Sequence, residues 1–287
     1  MKRQDFRSTA RLRVRWAEVD IQKIVFNAHY LTYADVGMTE YWRALAMPYE
    51  AAMRSLGGDI YLKKATVEYH ASAHLDDLLD VGMRCARVGT SSLAFECGIF
   101  AGDRLLVSVE LIYVFADPAS QSSRPVPQLL RDAIAQFEAG DEVVTLKVGD
   151  WATLGKDASE VRKAVFIEEQ GISPEIELDA FDATAVHAVA FNLLGMPVAT
   201  GRLLQDAPAE ARIGRMAVAR VLRGQRWGRA ILDALVDASR MRGDARVTLH
   251  AQCSAEGFYR RADFEVVGEP YEEAGIAHIT MQKRLQA

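Results

Sequence analysis

The segment 212–229, Arg-Ile-Gly-Arg-Met-Ala-Val-Ala-Arg-Val-Leu-Arg-Gly-Gln-Arg-Trp-Gly-Arg, holds the residue pattern with the most chemistry in it. An apolar run through Ile213, Met216 and Val218 stops at a basic turn bearing Arg223, Gly224, Arg226 and Gly228, and an apolar helix pattern follows at once. A strand that feeds a helix through such a turn offers unpaired backbone N–H groups and the positive end of a helix dipole. That combination is an anion site whose natural occupant is a phosphate or pyrophosphate. By itself the segment reads equally as a plain strand, turn and helix with solvated arginines. A second pattern, Trp16-Ala-Glu-Val-Asp20 followed by Ile24-Val-Phe-Asn-Ala-His-Tyr-Leu31, sets a carboxylate between a strand and a buried helix. On composition alone Asp20 is a turn or cap residue. The acidic stretch Glu175–Asp182 reads either as a solvated loop or as an attractor for a cationic amine. His70 and His74 stand four apart, but in a strand-to-loop stretch with no third ligand nearby, so no metal site is expected.

Two halves with different periodicities must position these residues. In the first, a strand-like run at Leu12–Trp16 precedes a helix pattern from Tyr30 to Ala46, with Tyr30, Tyr33, Ala34, Gly37, Tyr41, Ala44 and Leu45 at helical spacing. Strands are expected at Lys64–Tyr69, Leu79–Val88, Ser92–Phe100 and Leu105–Phe115, with a hairpin turn through Gly102. So apolar a helix needs a sheet to wrap it. A loop over residues 117–127 leads to an amphipathic helix at Gln128–Glu138 that Gly140 stops. The expected domains are residues 1–138 and 146–287, joined by a linker at 139–145.

The second half alternates strands and helices. Asp157-Ala-Ser-Glu160 fits a capping box opening a helix that runs to Gln170. Strands are expected at Ala185–Asn192, Val198–Leu204, Ile213–Val218, Val247–Ala251, Phe264–Val267 and Ile279–Arg284. Helices are expected at Arg226–Arg242, ended by Gly243, and at Ala255–Arg261.

The bulk numbers narrow the function class. The chain has 287 residues, half of them hydrophobic and a quarter charged, as in ordinary globular proteins. A net charge of -5 argues against a nucleic-acid partner. Three cysteines without C-x-x-C spacing point to reduced thiols. No apolar run approaches the roughly 20 residues of a bilayer span, and the charged first residues lack a signal core. The expectation is a cytoplasmic location without a membrane partner.

The second half resembles the GNAT N-acetyltransferase superfamily across Leu146–Leu285. The strongest likeness lies in Ala251-Gln-Cys-Ser-Ala-Glu-Gly-Phe-Tyr-Arg-Arg-Ala-Asp-Phe-Glu265, in Glu273–Met281 and in Val165-Phe-Ile-Glu-Glu-Gln-Gly-Ile172. The resemblance implies acetyl-CoA as substrate, with backbone groups of Met216, Ala217 and Val218 on the pantetheine arm and Arg223, Gly224, Gly228 and Arg229 in the pyrophosphate turn. The family has glycine where this chain has Arg226. Tyr259 falls where the family holds a general acid, a phenol able to protonate the departing thiolate; as a residue alone it reads equally as a core aromatic. Glu169, Glu177, Asp179, Asp182 and His187 are the candidates for deprotonating an amine acceptor. The Val165–Asp182 region is also distantly similar to acyl-homoserine-lactone synthases, which share the scaffold but use S-adenosylmethionine and acyl carriers; the anion turn and Tyr259 favour acetyl-CoA.

The first half resembles the hotdog-fold acyl-CoA thioesterases of the hydroxybenzoyl-CoA type over Arg11–Pro127. The likeness runs through Asp20, Tyr30-Leu-Thr-Tyr33, Val67-Glu-Tyr-His70 with Asp76-Asp77, Ser91–Glu96 and Val114-Phe-Ala-Asp117. It implies that Asp20 acts as nucleophile or as base for a water, that N–H groups near Ala28–Tyr30 polarise the thioester carbonyl, and that Ser92 serves the site of a neighbouring subunit. Lys23 and His29 replace a glycine and an asparagine of the family pattern, and His29 is a candidate substrate contact. Together the two resemblances imply an α+β chain: a hotdog, with an antiparallel sheet wrapped around a long central helix, followed by a GNAT α/β domain with a mixed central sheet. They further imply a homodimer or homotetramer joined through the hotdog half. The alternative is an acetyltransferase whose hotdog half only binds acyl-CoA or dimerises.

Overall fold

The computed structural model describes residues 1–273 and 275–285. Ala274, inside one of the motifs above, and Gln286 and Ala287, at the end of the expected second domain, lie outside the described residues. The chain divides into two compact units, Met1–Val143 and Val144–Ala287.

In the first unit, strand β1 (Ser8–Arg13) precedes helix α1 (His29–Ala44) and a short helix α2 (Tyr49–Leu56), which the sequence reading did not include. Four strands follow: β2 (Asp59–Tyr69), β3 (Leu78–Val88), β4 (Ser92–Ala101) and β5 (Arg104–Ala116); helix α3 (Gln128–Ala139) ends on Gly140 in the left-handed conformation. The sheet is antiparallel in the order β1-β3-β4-β5-β2. Helix α1 buries Tyr30, Tyr33, Ala34, Gly37, Met38, Tyr41 and Trp42. Those residues recur every three or four positions, so one stripe faces the sheet. At Gly37 the helix comes so close that an added Cβ would stand 2.8 Å from Val81 Cγ1. A methyl group there would push helix and sheet apart. The first strand begins earlier than expected, at Ser8, because the alternation Ser8, Ala10 inward already fits the sheet face.

The second unit opens with β6 (Val144–Gly149) and α4 (Trp151–Arg162), continued by a π-helical turn at Lys163–Glu169. After α5 (Pro174–Glu177) come β7 (Val186–Asn192), β8 (Pro197–Ala207) and β9 (Glu210–Val218). Helix α6 (Trp227–Arg242), β10 (Arg246–Gln252), α7 (Glu256–Arg260), β11 (Glu265–Val266), β12 (Tyr271–Glu273) and β13 (Ile276–Arg284) complete the unit. The sheet runs β11-β13-β10-β9-β8-β7-β6, with β12 on β13, and β9 and β10 form its parallel pair. The expected capping box at Asp157 is not the helix start. Asp150 caps α4 instead, its carboxylate accepting the N–H of Thr153 at 2.9 Å, and Asp157 lies in mid-helix. The earlier start lets Trp151 pack its ring on His187, 4.9 Å between centroids. No helix among the described residues is long and apolar enough to cross a membrane.

Candidate active sites

In the first unit, Asp20 opens a tight turn between β1 and α1. The N–H of Lys23 donates to the Asp20 carbonyl at 2.9 Å, and the N–H of Gln22 donates to Asp20 Oδ1 at 2.7 Å. Lys23 takes φ 62°, the left-handed conformation that glycine adopts freely. The glycine-to-lysine departure therefore keeps the turn, at a backbone cost of about 1–2 kcal/mol. Isolated bridges Val19–Val25 and Ile24–His74 fix the loop to the rest of the unit.

A residue missed by sequence reasoning anchors this passage. Glu18 is buried, and its carboxylate accepts from the Tyr33 hydroxyl at 2.7 Å and from the Arg15 N–H at 2.8 Å and Arg15 Nε at 2.7 Å. Burial works to raise its pKa, but the Arg15 and Tyr33 hydrogen bonds prevail and hold it below the usual carboxylate range. The reciprocal Arg15–Glu18 turn was a readable signal at i,i+3 spacing; the Tyr33 partner, a helix turn inside α1, was not.

Helix α1 begins with Ala28, which supplies no side-chain cap. The N–H groups of His29 and Tyr30, expected to face a carbonyl, lean on Phe26 O at 2.9 Å and Asn27 O at 3.4 Å. His29 is half-buried with its ring edge-on to Phe26. The Tyr30 side chain turns inward, its hydroxyl accepting from Ala73 N at 3.0 Å. Ser92 starts β4 beside Val88, whereas Arg13, close before Asp20, pairs with Leu78 at the other end of β3. At about 3.3 Å per residue the ten steps of β3 separate them by roughly 33 Å. Ser92 and the strand that leads into the Asp20 turn thus lie at opposite ends of β3.

In the second unit the decisive feature is a parting of strands. β9 and β10 pair from Glu210–Arg246 to Ile213–Leu249 and no further, although β9 continues to Val218 and β10 to Gln252. The cause lies across β9. Thr200 pairs with Ala217 but Arg202 with Gly214, so β9 carries one extra residue against β8, and Arg215 sits at φ 52° in this bulge. Ala219 N–H bonds Val198 O on β8 at 2.9 Å. By the two-residue period Ala217 also faces β8, while Met216 and Val218 direct their peptide groups toward the gap. A cavity of about 240 Å³ fills the gap, lined among others by Gln170, Met216, His250, Gln252 and Tyr259.

At the far end of β9 lies the basic turn. Gly224 takes φ 86° and Arg226 φ 69°, so Arg226 again adopts the conformation of the glycine it replaces. Arg226 is the N-cap of α6 and makes no side-chain cap, leaving the first N–H groups of a 16-residue helix aimed at the turn. Arg223 donates to Val218 O at 3.3 Å and grips both oxygens of Glu169 at 2.7 Å. Gly228 packs on Val218 and Phe258, where an added Cβ would meet Val218 Cγ2 at 3.3 Å. Arg229 is held by Asp233 and by the Arg261 carbonyl, each at 2.8 Å.

The acidic candidates meet guanidinium groups rather than open space. Glu169 belongs to the basic turn, and Arg223 holds its carboxyl below the usual range. Glu177, Asp179 and Asp182 form one network with Arg162, Arg202 and Arg215. Arg162 binds Glu177 and, at 2.8 Å, Asp182; Arg202 bridges Asp179 at 2.6 Å and Asp182 at 2.8 Å; Arg215 reaches Asp179 at 3.1 Å. Burial works to raise all three carboxyls. The arginines prevail at Asp179 and Asp182, which are lowered, and burial prevails at Glu177, which is raised. His187 is fully buried, donates Nε2–H to Asp182 O at 3.0 Å, and is pushed down by that burial.

Tyr259 is buried against Phe258 and Phe264, with ring centroids 4.9 and 6.1 Å away. Its residue lines the cavity, and burial pushes the phenol up to about 12. It is both a core aromatic and a protonated hydroxyl at the gap. No group of three or more His, Cys, Asp or Glu side chains among the described residues is arranged to hold a metal ion.

Comparison with known families agrees with both halves. The acetyltransferase (GNAT) domain family matches residues 156–285, and the thioesterase superfamily matches residues 22–108. The chain joins a thioesterase-superfamily domain to a GNAT acetyltransferase domain. The GNAT half is 32% identical over 130 residues to the uncharacterized N-acetyltransferase YjcF of Bacillus subtilis, covering 45% of this chain and 91% of that protein. The thioesterase half is 29% identical over 128 residues to the acyl-CoA thioester hydrolase YbgC of Escherichia coli O157:H7, covering 44% of this chain and 92% of that one. Among solved structures, the GNAT half is similar to Escherichia coli ElaA, with 27% identity, a TM-score of 0.45, and coverage of 49% and 99% of the two chains. The sheet-wrapped helix of the first unit is a hotdog, and the mixed sheet of the second is that of a GNAT domain.

Proposed function

We propose that the chain carries out two reactions on CoA thioesters: acetyl transfer from acetyl-CoA to an amine in the GNAT half, and hydrolysis of an acyl-CoA in the hotdog half. The parting of β9 and β10 carries the first reading, because it opens a peptide edge beside an anion turn. The pyrophosphate lies on the turn Arg223–Arg229 and the first N–H groups of α6. The pantetheine arm runs back along Val218 and Met216 as an extra strand, and the acetyl group reaches the point where the strands diverge. The amine nitrogen attacks the thioester carbon, a C–N bond forms, and the C–S bond breaks. Tyr259, kept neutral by burial, gives its proton to the departing sulfur.

In the hotdog half, Asp20 attacks the thioester or takes a proton from the attacking water. Lys23 in the glycine conformation supports this over a purely binding role, since the turn that presents Asp20 is kept. The placement of Ser92 and of the chain entering the Asp20 turn at opposite ends of β3 supports a homodimer in which each site takes Ser92 from the other copy. Thiol release from acyl-CoAs and from acetyl-CoA plus amines tests both activities. Asp20→Asn is expected to abolish hydrolysis and spare transfer, and Tyr259→Phe the reverse. Equal hydrolysis by the wild type and Asp20→Asn removes Asp20 from the chemistry. A calorimetric titration in which millimolar CoA gives no heat removes the whole reading.

A further inference from the structure

We propose that His250 is the base that takes the proton from the attacking amine, an assignment that rests on the acetyl-transfer reading of the same cavity. His250 is the first residue of β10 beyond Leu249, the last position paired to β9, so it stands where the two strands part. Along β10, Val247, Leu249 and Ala251 are buried, and Thr248, His250 and Gln252 alternate onto the opposite face. His250 and Tyr259 line the same cavity. The carboxylates that the sequence offered for this role, Glu169, Glu177, Asp179 and Asp182, are each taken up by arginines.

The ring is held at one nitrogen. Nδ1 lies 2.6 Å from the Tyr271 hydroxyl and 3.3 Å from Thr280 Oγ1. Tyr271 in turn stacks on His278, with centroids 6.1 Å apart. With Nδ1–H donated to Tyr271, Nε2 keeps its lone pair and is the nitrogen left to accept a proton. Five charged or titratable groups surround the ring: Arg212 from β9, Asp206 from β8, Tyr271 and Glu273 from β12 and His278 from β13. His250 is exposed at the cavity rim, and partial desolvation of the ring, then Arg212, outweigh the pull of Glu273 and Asp206 and lower its pKa from the ordinary histidine value. It is a neutral acceptor at neutral pH.

The protons balance. His250 Nε2 takes one proton from the ammonium, and the freed lone pair attacks the thioester carbon. The thiolate leaves with the C–S electron pair and takes the Tyr259 proton. The second amine proton returns to the Tyr259 phenolate, and His250 releases its proton to water. The products are an amide, free CoA and one proton.

The test measures kcat/KM against pH for acetyl transfer to n-butylamine, β-alanine and putrescine, with acetyl-CoA hydrolysis in plain buffer as a fourth probe. Wild type, His250→Gln, Glu273→Gln and Tyr271→Phe are compared, and histidine titrations of the full chain are followed by NMR. His250→Gln is expected to lower kcat/KM about 100-fold and to erase the acid limb, with acetyl-CoA affinity unchanged in calorimetry. Tyr271→Phe is expected to shift both the NMR titration of His250 and the acid limb by the same amount. An unchanged rate and limb in His250→Gln, or a limb lost in Glu273→Gln instead, overturns the assignment. So does a His250 ring that titrates at or above the ordinary value. No thiol release from the wild type with any probe overturns the transfer reading itself.

Discussion

Among the non-glycine residues in the left-handed conformation, two stand where the family pattern has glycine. Lys23 at φ 62° turns the chain into α1, and Arg226 at φ 69° turns it into α6. Replacing either with glycine is expected to stabilise the protein by about 1 kcal/mol, the left-handed penalty less the added freedom of the unfolded chain; chemical denaturation of each variant measures it. Tyr259 titrates at about 12, far above neutrality, so it remains a proton donor throughout the usual assay range. Acetyl transfer is accordingly expected to show no alkaline loss from this group below that value, and Tyr259→Phe to slow transfer about 100-fold. A pH–rate series for both proteins checks this. Much of this chemistry was readable in sequence, since Gly224 and Gly228 lie between a strand period and a helix period. The conformations of Lys23 and Arg226 were not, because neither residue type announces a positive φ.

At the scale of elements, buried charge ties helices and turns together. Arg162 at the end of α4 ties α5 and the turn after it through Glu177 and Asp182. Arg162→Met is expected to cost about 3 kcal/mol, because it takes one guanidinium from each of two buried carboxylates and leaves Asp182 to Arg202 and Glu177 to Arg215; chemical denaturation measures it. Glu18 does similar work between β1 and α1. Its pKa in the folded chain lies below the model-peptide value of 4.5, so its contribution is present above that value and fades as pH falls through the lowered one. Glu18→Gln is expected to flatten the acid side of a stability–pH curve, measured by denaturation at several pH values. Beyond the Arg15–Glu18 turn, these contacts were not legible in the sequence, since Tyr33 lies 15 residues from Glu18, and Glu177 and Asp182 lie 15 and 20 residues from Arg162. The elements themselves were mostly legible from periodicity. The start of α4 was misread because both Asp150 and Asp157 precede helical patterns, and the burial of Trp151, which decides between them, is a tertiary effect.

For the whole molecule, the hotdog sheet ends in β2, an edge strand of 11 residues that is mostly exposed and carries the exposed Tyr61 and Leu62. An edge of that length is a template for pairing with another chain. Under the homodimer proposal, Leu62→Lys is expected to yield a monomer in sedimentation, with hydrolysis lost and acetyl transfer kept. A dimeric variant with full hydrolysis would move the contact elsewhere. The two-unit division was foreshadowed by the change of periodicity along the chain, but the placement of Arg13 and Ser92 at opposite ends of β3 emerged only from strand register.

The gap between β9 and β10 also bears on how the molecule responds to its surroundings. Peptide groups on parted strands are solvated until another strand-like molecule bonds to them. Whatever fills that seam becomes structural as well as reactive, adding about 2.7 kcal/mol to the GNAT half at a hundredfold excess over its Kd. Heating with rising CoA should therefore raise the melting transition of the GNAT half, turning the resilience of that half of the polypeptide into a gauge of carrier supply.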